Sequence, residues 1–285
     1  MATPLTAAQV LAALRAEGVK VVEYKSWRTH NRAGHGAWGP VNGVMIHHTV
    51  TSGTDSSVAL CYNGHASLPG PLCHGVIDKQ GVVHMVGWGR ANHAGGGDGR
   101  VLDQVMNESY GSAPSRPTKG NANGTDGNAR FYGFECINLG DGKDPWPTAQ
   151  LDAIERVAAA LCRAHDWGAK SVIGHLEWSS DKVDPRGFSM PGMRDRIAAR
   201  LKKPAGSTDT DSKEPTLSDM TAAQVHAAVW GRDAIPSPTT VSTHKTNPTW
   251  KAESFLPEIV DRLARLTDAV AALTEKVDAL PKKVS

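Results

Sequence analysis

Charge of one sign is what this 285-residue chain most plainly lacks: 31 Lys and Arg against 29 Asp and Glu leave a formal charge of +2. Without a basic surplus there is no electrostatic footprint for a phosphate backbone, so nucleic acid is not an expected partner. No apolar run approaches the roughly 18 residues that mark a membrane-spanning helix, and no membrane span is expected. The N-terminal stretch MATPLTAAQVLAALRAEG has no basic segment leading into an apolar core, which excludes a secretory signal there. Synthesis in a cytoplasm without a signal peptide is the expectation. Cysteine is scarce too. Cys61, Cys73, Cys136 and Cys162 include no C-x-x-C pair, and in a reducing compartment they are expected as thiols. A Cys61–Cys73 disulfide in an oxidising medium stays open.

What is present reads as an ordinary globular chain, 40% hydrophobic and 21% charged. Its length suits one large domain or a medium domain with appendages. A first helix is expected after Thr6, with Gln9 completing a capping box. VKVVEY (19–24), GVMIHH (43–48) and RFYGFECINL (130–139) predict strands, and residues 74–86 predict a hairpin turning near Lys79-Gln80-Gly81. A helix is predicted from about 148 to 166, with Leu151, Ile154, Ala158 and Leu161 on one face. KSVIG (170–174) predicts a short strand and MRDRIAARL (193–201) a closing helix. Together these imply an α/β fold with a mixed central sheet flanked by helices. The segment 95–129, rich in Gly, Asn, Ser and Pro, is long enough to be a binding loop or a floppy insertion.

The expected organisation is a domain over 1–203, a polar Pro-containing linker over 204–219 and a C-terminal helical region over 220–285. In that region Leu256, Ile259, Leu263, Leu266, Val270, Leu273, Val277 and Leu280 recur at alternating spacings of 3 and 4. This heptad stripe predicts a coiled coil over about 254–281 and a homo-oligomer; docking of the stripe on its own domain is the alternative. TAAQVLAAL (6–14) resembles TAAQVHAAV (221–229), a likeness that shared helix-start chemistry explains. WGRDAIPSP (230–238) carries no recognisable binding motif.

Chemistry gathers where strands end. His47 and His48 alternate on a strand, so at most one joins a given site. His175 follows a short apolar strand, and Asp184 sits on an irregular segment before Pro185. Two imidazoles and a carboxylate meet the needs of catalytic zinc, which takes three protein ligands and keeps a position open. Asp184-Pro185 as a mere turn initiator is the competing reading.

VMIHHT (44–49), NHAG (92–95), YGFECINLG (132–140) and GHLEW…DKVDP (174–185) occur here in one order. In these residues the chain resembles the type-2 N-acetylmuramoyl-L-alanine amidases and peptidoglycan recognition proteins, across about residues 25–200. Its Ala- and Gly-rich composition and lack of a signal make it most similar to bacteriophage endolysins of actinobacterial hosts. The resemblance implies one Zn2+ per catalytic domain, held by His47, His175 and Asp184. It implies Lys182 and Glu135 as catalytic residues and His93 as a substrate contact. The implied reaction cuts the amide between N-acetylmuramic acid and L-alanine in bacterial peptidoglycan, after release of the enzyme to the wall. Lys182 would stabilise the oxyanion. Glu135 would act as a base toward water or orient a ligand histidine, or else simply pair with a nearby cation.

One departure stands out. Some relatives carry a tyrosine before the hairpin histidine, where this chain has Cys73 before His74. A thiol lacks a phenol's reach, which puts a two-donor oxyanion hole in doubt. A cysteine-nucleophile hydrolase built on Cys73 and His74 is disfavoured, because adjacent strand residues face opposite ways. A peptidoglycan-binding module without catalysis and a virion-associated wall-degrading protein remain as alternatives.

Overall fold

The computed structural model of the chain describes residues 2–207, 233–236 and 249–278, with side chains described over the first segment and over 259–276. The expected linker beyond 207 and the second TAAQV-type helix lie outside the described residues. The chain divides into two compact units, Met1–Ser207 and Thr208–Ser285.

The first unit opens with α1 (Ala7–Ala16), whose Thr6 and Gln9 form the expected capping box. β1 (Lys20–Glu23), β2 (Gly43–His48) and α2 (Thr54–Asn63) follow, then a short ribbon of β3 (Gly64–His65) and β4 (Leu68–Pro69). The hairpin is β5 (Gly75–Ile77) and β6 (Val82–Met85), turning at Gly81. β7 (Gly96–Gly97), α3 (Gly99–Met106) and β8 (Thr125–Asp126) occupy the long polar segment. β9 (Phe131–Cys136), α4 (Thr148–Ala164), β10 (Val172–Gly174), α5 (His175–Trp178) and α6 (Met190–Leu201) complete the unit.

Six strands form one sheet in the order β1-β6-β5-β9-β2-β10. Only β5 and β6 pair antiparallel, so the sheet is mixed. Its middle strands are buried on both faces, and all six residues of β2 are buried, as strands flanked by helices must be. Val44 and Ile46 join the larger core with Leu14 of α1, Ile154 and Leu161 of α4 and Ile197 of α6. Met45 packs on the opposite face with Val101 and Val105 of α3 and with Trp178. His47 lies two residues beyond Met45 and so faces the same way. The β2–β9 register sets His47 beside Glu135. Cys61 and Cys73 share a third apolar cluster with Val58, Val76, Val86 and Ile137, and all four cysteines are free thiols.

The segment 95–129 is not wholly a loop. α3 starts at Asp98, whose side chain accepts the Arg100 amide. Three apolar residues spaced along one face bury this helix despite its polar surroundings, and Gly99 at its first position hid it from pattern reading. α2, with Thr, Asp and two Ser in its first turn, was masked the same way.

In the second unit, β11 (Asp233–Pro236) pairs antiparallel with β12 (Thr249–Lys251). α7 (Ala252–Asp278) follows as a 27-residue helix. Leu263, Leu266, Val270 and Leu273 on it are 54–62% exposed.

Candidate metal centre

β2 and β10 are parallel neighbours, with Ile46 opposite Gly174. The residue after each strand position is therefore delivered to the same sheet edge, and those residues are His47 and His175. His47 Nδ1 lies 2.9 Å from His175 Nδ1. Asp184 Oδ2 lies 3.2 Å from each of them. Both histidines are buried. Among the described residues this is the cluster of three ligand-type side chains able to hold a metal ion.

The loop from His175 to Asp184 is closed by its backbone. Leu176 N–H donates to the Asp184 carbonyl at 2.7 Å, and Lys182 N–H donates to the Ser179 carbonyl. Glu177 fastens the other end: its carboxylate accepts the Gly174 amide at 3.0 Å and two guanidinium bonds from Arg194 at 2.8 Å each. Arg194 also donates to the Val172 and Ser112 carbonyls. Removing one partner of a buried bidentate pair typically costs about 3–5 kcal/mol, so this pair holds the turn on which His175 sits. Sequence pattern alone did not reveal Glu177, although it stands two residues past His175 in GHLEW.

Hydrogen bonding sets where the protons lie. His175 Nε2 is 3.1 Å from the Ala94 carbonyl, a pure acceptor, so this nitrogen carries a hydrogen, and in the neutral ring Nδ1 then keeps its lone pair. His93 Nε2 is 3.2 Å from the Phe131 carbonyl and must likewise donate. Burial, reinforced by His47, His74 and His175, pushes the His93 pKa well down, so its Nδ1 is an acceptor. That acceptor lies 3.1 Å from His47 Nε2, which therefore donates and leaves His47 Nδ1 bare. Burial, then the neighbouring His175, lowers His47 to about 4 and keeps it neutral. Burial alone would raise Asp184, but its contacts with His175 and His47 outweigh it and hold the carboxyl well below its usual range. With both rings neutral, two ring nitrogens, each opposite its own ring's outer hydrogen bond, converge with a carboxylate oxygen.

This donor set fits zinc. A tetrahedral ion with bonds of roughly 2.0–2.1 Å spaces its ligand atoms roughly 3.3–3.4 Å apart, close to the separations seen here. Each imidazole presents one nitrogen to the centre and donates through the other, the arrangement typical of histidines that ligate metal.

A cleft of about 260 Å³ opens over the cluster, bordered by His48, Leu72, Asn92, Glu135 and Lys182 among others. Glu135 Oε2 is sealed from solvent without a hydrogen-bond partner. Burial, then the neighbouring Cys61 and Asp184, raises the Glu135 pKa well above the ordinary carboxyl value, with Lys182 opposing. His48 borders the cleft without joining the cluster, and its Nδ1 accepts the Arg186 amide at 3.2 Å. Cys73 is fully buried, and burial followed by contact with Cys61 raises its pKa well above the normal thiol value. His74 holds the Gly89 carbonyl and the Gly133 amide. Neither Cys73 nor His74 borders the cleft.

The loop carrying His93 and Ala94 is clamped from below. Asn128 Oδ1 accepts the amides of His93, Ala94 and Gly95 at 3.0, 2.8 and 3.2 Å. Asp98 gathers the Arg100 side chain, the Arg100 amide and both the amide and hydroxyl of Thr118. Both residues escaped sequence reading, since a single Asn or Asp in a polar loop carries no periodic signal.

Fold and centre together define a mixed-sheet α/β domain with a buried His-His-Asp cluster at the floor of an open cleft. The family model for N-acetylmuramoyl-L-alanine amidase matches residues 37–187, just over half the chain and inclusive of every candidate site residue, and the chain belongs to that family. A search of curated proteins finds no match. Among solved structures, the chain is similar to the endolysin N-acetylmuramoyl-L-alanine amidase LysCS from Clostridium intestinale, with a TM-score of 0.41 and 16% identity over 62% of this chain and 95% of that one. It is similar to the amidase AmiD from E. coli in complex with a substrate, with a TM-score of 0.41 and 16% identity over 73% and 70% of the two chains. Drosophila peptidoglycan recognition protein SA aligns at a TM-score of 0.34 and 15% identity over 66% and 93%.

The Asp98 network yields a pH-dependent prediction. Its hydrogen bonds with Arg100, followed by those with Thr118, outweigh burial and hold the Asp98 carboxyl below its usual value. A depressed folded-state pKa contributes stability above the unfolded value of about 4 and loses it as pH falls below that. Asp98→Ala is expected to cost about 2 kcal/mol at pH 7. The gap in melting temperature from wild type should then narrow as pH falls from about 5 to about 2. A gap that is constant or widens in acid would contradict the assignment.

Proposed function

We propose that this protein is a zinc-dependent N-acetylmuramoyl-L-alanine amidase that acts as a bacteriophage endolysin. It hydrolyses the amide between the lactyl group of N-acetylmuramic acid and L-alanine in bacterial peptidoglycan. The observation that carries the reading is the convergence of three ligand atoms, His47 Nδ1, His175 Nδ1 and Asp184 Oδ2, within 3.2 Å of one another. Facing lone pairs repel, and a buried set of this kind calls for a cation.

When bound there, zinc polarises the scissile carbonyl and makes water a competent nucleophile near neutral pH. His47 and His175 hold it as neutral imidazoles and Asp184 as a carboxylate. Glu135 takes the proton from the attacking water and passes it to the departing amine; its raised pKa suits a group that must both accept and donate. Lys182 borders the cleft beside His175, where its ammonium stabilises the oxyanion. Cys73 is sealed in the apolar cluster behind the cleft, so Lys182 takes that task without a neighbouring phenol. The wall-facing role is that of a protein made in the host cytoplasm and acting after release.

The exposed stripe on α7 extends the proposal to assembly. Ile259, Leu263, Leu266, Val270 and Leu273 share one heptad seam and lie 36–62% exposed on the helix. Two or more copies bury that seam in a coiled coil, making the enzyme a homo-oligomer.

Purified protein is expected to release new L-alanine amino termini from cell wall, to stop with a chelator and to resume with zinc. Asp184→Ala should lose zinc. Lys182→Ala should keep zinc and lose about 10²–10³ in turnover. Wall binding with no new amino termini in the presence of zinc would point to a binding module instead. For assembly, sedimentation of the full chain should show an oligomer that Leu266→Asp with Leu273→Asp converts to a monomer of unchanged amidase activity. A monomeric wild type would refute the coiled coil.

A further inference from the structure

The resemblance casts His93 as a substrate contact, yet both of its ring nitrogens are spoken for. Nε2 faces the Phe131 carbonyl at 3.2 Å and Nδ1 faces His47 Nε2 at 3.1 Å. The residue is buried. Its ring lies over Gly133 of β9, where a Cβ would come within 2.3 Å of Nδ1. β9 therefore leaves a vacancy that the imidazole fills, and no side chain of β9 competes for the spot. From the other side, Asn128 grips the backbone amide of His93 itself. The ring is fixed by the strand beneath it, by its own loop and by a carbonyl whose position belongs to the sheet.

We infer that His93 is a positioning residue for the metal centre, relaying a backbone carbonyl through its imidazole to fix which nitrogen of His47 carries the hydrogen. The relay has one direction. The Phe131 carbonyl can only accept, so His93 donates from Nε2; His93 Nδ1 then can only accept, so His47 donates from Nε2. His47 Nδ1 is left free of hydrogen at the point where His175 Nδ1 and Asp184 Oδ2 converge. The other ligand histidine reaches the same state in one step, through the Ala94 carbonyl. That carbonyl belongs to the residue after His93. One clamped dipeptide thus sets both ligand imidazoles, His47 through a side chain and His175 through a backbone oxygen. Deleting the His93 acceptor frees His47 to place its hydrogen on Nδ1, or to rotate, and either competes with ligation. Loss of an outer partner of this kind weakens metal affinity by about 10- to 100-fold.

The inference rests on the zinc reading, and its test separates the two. Zinc dissociation constants are measured by chelator competition on the full-length wild type and on His93→Leu, His93→Gln and His93→Asn, alongside thermal unfolding of each zinc-free protein. An Asn side chain places an oxygen near the position of Nδ1 and can accept from His47. A Gln side chain reaches toward Phe131 but offers no acceptor at the Nδ1 position. The expected result is zinc affinity about 10- to 100-fold weaker for Leu and Gln, with Asn within a few-fold of wild type. Should Leu fail to fold, the contrast between Gln and Asn carries the test. Wild-type zinc affinity in all variants, with a raised KM on cell wall, would overturn the relay in favour of substrate contact. Equal weakening in Gln and Asn would overturn it in favour of a packing role. A wild-type chain that takes up no zinc would overturn the zinc reading itself.

Discussion

Three acceptor atoms held together in a buried place set the terms for the rest of this domain. His47 Nδ1, His175 Nδ1 and Asp184 Oδ2 lie 2.9 to 3.2 Å apart, on the sides of the two rings opposite their outer hydrogen bonds. Such an arrangement is unfavourable unless a cation joins it, and the surrounding structure has to hold it open. Much of what looks like incidental polar chemistry around the centre does so. Two parallel strands bring the histidines to one edge, and a closed backbone loop returns Asp184 to His175. The Glu177–Arg194 pair anchors the turn between them. The clamp at Asn128 holds the carbonyl that sets the His175 tautomer.

The polar segment after residue 95 is tied to this function through the same logic. A loop that carried only substrate contacts could be mobile. This one carries the Ala94 carbonyl and the His93 ring, whose positions decide tautomers in the core of the site. Its order therefore comes from within: α3 buries Val101 and Val105 against the sheet, and Asp98 stitches the helix start to Thr118, twenty residues further on.

Much of this was legible in the residues. The strand patterns of VKVVEY, GVMIHH and RFYGFECINL appear as β1, β2 and β9, and the helix expected from 148 spans Thr148–Ala164. Alternation on β2 parts His47, which joins the cluster, from His48, which does not, because strand geometry leaves no choice once a register exists. The pairing of His47 with Glu135 is another matter: it depends on strand order and register across a parallel sheet, which sequence alone does not supply. α2 is hidden because its polar first turn blurs the apolar period, and α3 because it is short and opens on Gly99. Glu177, Asn128 and Asp98 were invisible for a different reason. Each acts through backbone amides or a single distant arginine, contacts that leave no spacing to detect. His93 was picked out by its motif, but its hydrogen-bond partners are visible only in the fold.

The centre's occupancy is the hinge of the whole account, and diffraction at the zinc absorption edge addresses it directly. Crystals of zinc-loaded protein should give one anomalous peak per amidase domain, in contact with Nδ1 of His47, Nδ1 of His175 and a carboxylate oxygen of Asp184. A peak at other atoms, or none in protein that still cleaves cell wall, would contradict it.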